Sequence, residues 1–203
     1  MPVLSMIVAS ALTAAQWTTP VVTLDDYPKS ALLREKSAAV MLDLLIDPEG
    51  NVVRCSQSSA VGDKNLADKM CGIAEKKKAE PARDAKGRRS FGFRRDFASL
   101  SLPGTSQAEA IGDVGPSPDI DFEVASVPAG TTSPVLVSVT IAVDKAGKTT
   151  GCEFSKDSKN SAFGAVACQQ IGGMDFPKLT DSGGRAVSYI RPMTVRFSLA
   201  SKS

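Results

Sequence analysis

Two stretches of the chain, residues 47–71 and 144–168, follow one pattern. Each starts with Asp-x-x-Gly after an apolar run, reaches a cysteine eight residues after the aspartate, and has a second cysteine in a helix-like stretch. Solenoid repeats have shorter periods, of about 20–50 residues, so the pattern predicts a duplicated domain. The matching positions all lie 97 residues apart: Asp47 and Asp144, Cys55 and Cys152, Cys71 and Cys168.

Each copy predicts the element order β-β-α-β, preceded in the first copy by a short helix over Lys29–Lys36 that Pro28 opens. The helix of the first copy begins after Asp63 or Asn65, which are suitable capping residues. This order predicts an α+β protein with two tandem units, each a small antiparallel sheet with helices on one face. The predicted strands cover residues 38–46, 52–56 and 90–102 in the first copy, and 135–143, 149–155 and 186–199 in the second.

Composition divides the chain into four segments. Residues 1–15 are apolar and end in small residues, which is typical of a secretory signal peptide, although a short apolar strand or helix is an alternative. Residues 103–134 are rich in Pro, Gly, Ser and Ala and predict a linker, of which 120–127 alternates well enough to form an added strand. The two domains are then residues 16–102 and 135–203.

The four cysteines occur as one pair in each copy. Four cysteines allow three pairings, and the duplication favours one pattern used twice, Cys55–Cys71 and Cys152–Cys168. Such bonds form in oxidising compartments, which agrees with a signal peptide. A zinc site made by all four cysteines needs closely spaced pairs that this chain lacks, and free buried thiols are the other alternative.

Several functional classes find little support in the composition. The net charge of +2 is nearly balanced, and acidic residues interrupt the basic run over 76–95, so we expect no nucleic-acid partner. The chain has no histidine, the commonest general base and metal ligand, and we expect no enzymatic activity, metal or cofactor. A hydrolase using serine or a carboxylate such as Asp43 is the remaining enzymatic hypothesis. An anionic lipid or cell-wall surface is a further candidate partner.

Taken in order, these turns and elements resemble the TonB C-terminal domain family. The second copy lacks the Tyr-Pro helix, and the sequence shows no anchoring transmembrane helix and no long Pro-rich spacer. The resemblance rests on the following residues: Tyr27-Pro28 with Ala31, Asp47–Gly50, Gln57–Ala60, Asn65–Asp68, Glu80–Ala82 and Lys86-Gly87 in the first copy, and Asp144–Gly147, Phe176-Pro177, Gly184-Arg185 and Thr194–Leu199 in the second.

The resemblance implies a periplasmic protein that binds partner proteins, with a role in energy-coupled transport across the outer membrane. The alternative is a stand-alone periplasmic adaptor or structural module. In that family a peptide of an outer-membrane receptor adds to the edge of the closing strand, so the closing strands 90–100 and 186–199 are the expected edges. Arginines beside them would steer an acidic partner, or would only protect a solvated edge from aggregation. The candidate partner-binding residues are Arg88, Arg89, Phe91, Phe93, Arg94, Arg95, Phe97, Arg196 and Phe197.

Overall fold

Both copies form the predicted β-β-α-β order. The computed structural model describes residues 11–105, 108–109, 111, 117–128, 131–156 and 160–200. The first unit, residues 38–100, consists of β2 (Ala38–Ile46), β3 (Val52–Gly62), α2 (Lys64–Ala74), β4 (Ala79–Glu80), β5 (Ala82–Arg83) and β6 (Arg89–Leu100). The second unit, residues 135–199, consists of β8 (Val135–Val143), β9 (Thr149–Phe154), α3 (Ser161–Ile171), β10 (Leu179–Thr180), β11 (Ala186–Val187) and β12 (Tyr189–Leu199).

Among the described residues, shorter elements lie outside the two units, including one 3₁₀ turn over Leu24–Asp26. Strand β1 (Gln16–Trp17) pairs with β4, α1 (Lys29–Leu32) precedes the first unit, and β7 (Ile120–Val124) lies between the units. Helix α1 ends earlier than predicted because Glu35 has a φ of 51°, which no α-helix accommodates. The added strand predicted within the linker is present as β7.

The two hairpin turns are closed by the aspartates of the repeat. Asp47 Oδ1 accepts hydrogen bonds from Glu49 N at 3.0 Å and Asn51 N at 2.8 Å. Asp144 Oδ1 accepts equivalent bonds from Ala146 N and Lys148 N. These carboxylates therefore serve their own turns, as the sequence suggested.

A disulfide ties the second strand of each unit to its helix. The bonds are Cys55–Cys71 and Cys152–Cys168, and both have Cα atoms 5.5 Å apart. The predicted pairing is confirmed, and no described cysteine is free. Disulfides persist in oxidising compartments, so the two bonds indicate an extracytoplasmic protein.

The two units share one sheet, a question that the sequence left open. Its strand order is β3-β2-β6-β12-β8-β9, with β7 also paired to β12. Within each unit the strands are antiparallel, whereas β6 and β12 join in parallel through two residue pairs, Phe91 with Tyr189 and Gly92 with Ile190. The α+β class is confirmed, and the units join through their closing strands.

The helices of the two units pack on opposite faces of this sheet. Leu42 and Leu44 lie in one core with Leu66 and Met70 of α2, on what we call the α2 face. Ile141 and Val139 lie in the other core with Ala167 and Ile171 of α3, on the α3 face. Because β6 and β12 run in parallel, a half-turn about an axis along the strands relates the units and places their helices on opposite sides.

Each unit also contributes to the core of the other. Ile190 of β12 lies in the α2-face core, while Phe91 and Phe93 of β6 pack against the α3-face core. Arg54 Nη2 of the first unit donates to Thr180 O of the second at 2.7 Å. These exchanges bury the seam between the units.

Residues before and between the units belong to the packed structure. Ala15 is fully buried, and Thr13 pairs with Arg83, although residues 1–15 were predicted to be a signal peptide. The boundary after Ala15 stays a prediction, and residues 1–10 lie outside the described residues. Within the predicted linker, β7 pairs with residues 195–199 of β12. No helix among the described residues has the length and apolarity to cross a membrane.

Candidate partner-binding edge

The closing strands lie at the centre of the sheet. One side of β12 pairs with β8 along residues 189–197, and its other side pairs with β6 at 189–190 and with β7 at 195–199. Strand β6 pairs with β2 along residues 92–100 and with β5 and β12 at its beginning. The prediction that these two strands form the sheet edges is therefore wrong, because they pair with each other to join the units.

The aromatic residues predicted to bind a partner serve mainly as core. The ring centroid of Phe93 lies 6.1 Å from that of Tyr189. Phe197 is only 1% exposed and packs against Phe122 and Phe163. Phe91 packs against the same α3-face core, whereas Phe97 is half-buried beside a surface cleft described below.

Most of the predicted steering arginines have carboxylate partners within the chain, which leaves less of their charge for an acidic partner. Arg95 Nε donates to Asp43 at 2.7 Å, and this bond raises the pKa of the Arg95 guanidinium. Asp43, considered above for catalysis, is held by this pair. Arg89 is exposed. The remaining pairs are Arg88 with Asp84, Arg94 with Asp96, and Arg196 with Asp121.

A charged network fills the opening between β6 and β12 beyond their two paired residues. Asp119 accepts hydrogen bonds from Arg191 Nη2 at 2.6 Å and from Thr194 N at 2.9 Å, and lies 3.8 Å from Arg95. Arg191 is 8% exposed, and its guanidinium carbon lies 4.9 Å from the ring centroid of Phe93. The network stabilises the seam between the units.

The true edges of the main sheet are β3 and β9. Strand β3 is the longer, with eleven residues against six in β9, and among the described strands it pairs with β2 alone. Natural edge strands are commonly protected by charged residues or proline. The last seven residues of β3, Ser56-Gln-Ser-Ser-Ala-Val-Gly62, contain neither. In the sequence, this uncharged segment is the signal for an edge that can pair with another strand.

The backbone of this segment is accessible from outside the sheet. Five of its seven residues are exposed, and only Gln57 and Val61 are half-buried. A register shift leaves Ser58 without a partner residue on β2, since Met41 pairs with Ser59 and Leu42 with Gln57. Such a bulge bends the strand, is common at sheet edges, and is the one protective device that this segment carries.

A cleft of about 410 Å³ lies beside this edge on the α3 face. Its walls include Ala39, Met41 and Phe97, with Val61 of β3 at one side. Ala39 and Met41 are buried, at 1% and 8% exposure. Arg95 and three serines, Ser58, Ser59 and Ser117, also line it, so an extended chain that paired with β3 would have beside it a recess of mixed polarity for one side chain.

In the described ranges no cluster of three or more His, Cys, Asp or Glu side chains is placed to hold a metal ion. The chain matches no family model, and no curated protein or solved structure resembles it significantly. The resemblance to the TonB C-terminal domain family thus rests on the sequence motifs alone.

Proposed function

We propose that this protein is a periplasmic adaptor that binds an extended segment of a partner protein along β3. The observation that carries the proposal is a long sheet edge with seven consecutive uncharged residues beside a cleft that Ala39, Met41, Phe97 and Arg95 line. In strand addition, backbone hydrogen bonds provide affinity, and recesses for alternate side chains provide specificity. Strand β3 offers both.

The periplasm is the part of the proposal that depends on the resemblance. Two disulfides support an extracytoplasmic location, and the TonB-like motifs narrow it to the periplasm. In the family, the closing strand receives the partner. Here both closing strands pair inside the sheet, which favours a stand-alone adaptor over an energy transducer.

The test begins with a photoreactive p-benzoylphenylalanine at Ser58, in protein produced in its native cell envelope. A matched position is Ala146, which is exposed in a turn of the second unit. We expect cross-links from Ser58 to one extended segment of a partner, and none to that segment from Ala146. A synthetic peptide with the cross-linked sequence is then the probe for binding.

Hydrogen exchange and charge substitution complete the test. The peptide should protect backbone amides within 56–62, and the variant Ser58→Lys/Ala60→Lys should weaken binding, because charges on an edge oppose strand addition. Ala146→Lys adds charge elsewhere and should bind normally. Peptide binding that leaves the amides of β3 unprotected, or that survives the double lysine variant, would refute the assignment of this edge.

A further inference from the structure

The loop over residues 27–36, which includes the one-turn helix α1, presents leucines to solvent. Leu32 is 47% exposed and Leu33 is 85% exposed, and Leu24, just before the loop, is 72% exposed. Single exposed apolar residues are normal, but a group of them marks an interaction site. The other large apolar side chains exposed among the described residues are isolated in or after the second unit's strands and helix: Leu136, Val166 and Leu199.

This loop is held in place and is not a frayed end. Ala31 is 8% exposed and packs into the α2-face core. The Tyr27 hydroxyl donates a hydrogen bond to the Lys36 carbonyl, which closes the loop at its base. Next to it, Lys77 Nζ pairs with Asp26 at 2.8 Å. The leucines are therefore exposed by the fold itself.

Three cations lie in the same loop as the two leucines, and Asp63 and Asp68 line the cleft that Arg34 and Lys36 also line. The loop carries Lys29, Arg34 and Lys36 against one acid, Glu35, for a net charge of +2. Lys29 and Arg34 are exposed, and none of the three cations has an ion pair with another described residue. This differs from the arginines of β6 and β12, most of which are paired within the chain.

We propose that the loop over residues 27–36 binds the surface of anionic phospholipid bilayers. Leu32 and Leu33 enter the boundary between headgroups and acyl chains, while the cations approach the phosphates. The composition favours lipid over protein, because the centres of protein interfaces are depleted of lysine whereas basic segments bind anionic leaflets. Lipid binding by this loop is independent of partner binding at β3.

The experiment is co-sedimentation of the full chain with phosphatidylcholine vesicles, with and without phosphatidylglycerol. We expect binding only to the anionic vesicles and loss of most binding at about 1 M salt, where the Debye length is about 3 Å. Leu32→Ala/Leu33→Ala should lower the partition coefficient at least about tenfold through lost apolar contact. Its control, Leu136→Ala/Val166→Ala, removes two exposed apolar groups elsewhere and should bind as the unmodified chain does.

Charge variants separate a local site from general attraction. Lys29→Ser/Arg34→Ser should weaken binding by about fivefold for each cation removed. Lys145→Ser/Lys178→Ser removes the same charge from exposed positions of the second unit and should have little effect. Equal losses in both charge variants, an unchanged leucine variant, or no binding to anionic vesicles would each overturn the proposal. Circular dichroism of every variant verifies that it is folded.

Discussion

Asp119 is the residue whose loss should damage the seam most. Its carboxylate is 12% exposed and binds both Arg191 and the backbone of Thr194. Arg191 is buried, and its Nε already has no hydrogen-bond partner. In Asp119→Ala the guanidinium therefore stays buried without a counter-charge. Breaking a buried pair in this way costs about 3–5 kcal/mol, so we expect the free energy of unfolding to fall by that amount.

The chain offers a matched control two residues away. Asp121 also pairs with an arginine of β12, Arg196, but the side chains are 49% and 40% exposed. Exposed pairs contribute little because water and salt screen them. Asp121→Ala should therefore leave the urea midpoint unchanged. In thermal unfolding, Asp119→Ala should lower Tm by about 6–20 °C, at about 2–4 °C per kcal/mol for a chain of this size.

A double variant examines the cause. Urea unfolding followed by far-ultraviolet circular dichroism gives the free energy for each protein, with Trp17 fluorescence as a second probe. In Asp119→Ala/Arg191→Met the buried charge is gone, so most of the lost stability should return, apart from about 1 kcal/mol for the Thr194 amide. Equal losses in Asp119→Ala and Asp121→Ala, or a double variant no better than Asp119→Ala, would contradict the reasoning.

Three further predictions concern covalent and titrating groups. Cys152→Ser/Cys168→Ser should lower the free energy of urea unfolding by about 3 kcal/mol, since the bond closes a loop of sixteen residues. Burial raises the pKa of Tyr189 to about 12, so ultraviolet absorbance should show one tyrosine that ionises well above the ordinary pKa of 10.0. The free energy of unfolding should fall as pH rises from 10.0 toward 12, because only the unfolded chain loses the proton in this range. Tyr189→Phe should remove both effects. The Arg88 side chain lowers the pKa of Asp84, so the small stability that this exposed pair supplies should be lost as pH falls below 3.8. Asp84→Asn should make the fall of the urea midpoint in this pH range slightly less steep.

The elements within each unit were predictable because their signals are local. The apolar run of β2 ends at a turn with fixed residue requirements, and Asp63 caps α2 by accepting a hydrogen bond from Leu66 N at 2.9 Å. Because the pattern repeats, each element predicted in one copy supports the matching element in the other. Helices α2 and α3 begin at Lys64 and Ser161, at the same spacing of 97 residues. The disulfide pairing followed from the same register.

The arrangement of the units was not predictable from these signals. It depends on two parallel residue pairs in the middle of the sheet, and no periodicity encodes so short a contact. Gly92 was the available hint, because glycine inside a strand marks a close approach. A Cβ atom at Gly92 would lie 2.7 Å from the Cβ of Ala15, which is too close for two carbon atoms. Ala15 is the last residue of the predicted signal peptide.

The edge was misplaced for a related reason. The arginines of β6 predict an edge strand that is either protected or binds a partner. Charge along a strand is equally expected where the side chains pair with carboxylates of neighbouring segments. Asp43 lies on the adjacent strand although it is distant from Arg95 in sequence, and Asp119 lies in the predicted linker. Sequence spacing does not reveal such a contact, so charge alone could not distinguish an edge strand from a central one.

The segment over residues 11–17 crosses from one unit to the other. Leu12 N donates to Glu153 Oε2 at 2.9 Å, and the amide and carbonyl of Thr13 both bond to Arg83. Ala15 is fully buried, and its carbonyl accepts a bond from Arg94 Nη1 at 2.7 Å. A chain that began at Gln16 would lose all of these contacts, and the two Thr13 hydrogen bonds alone correspond to about 2 kcal/mol.

We therefore predict that signal cleavage, where it occurs, falls before Leu12 and not before Gln16. Val8-Ala9-Ser10 is a run of small residues that suits cleavage before Ala11. Mass spectrometry of the N-terminal peptide, on protein purified from the native cell envelope, reads the position directly. A chain starting at Ala11 should also need more urea to unfold than one starting at Gln16, because only the longer chain keeps Ala15 buried. A mature terminus at Gln16, with equal stability for the two chains, would show that these contacts contribute nothing to the folded protein.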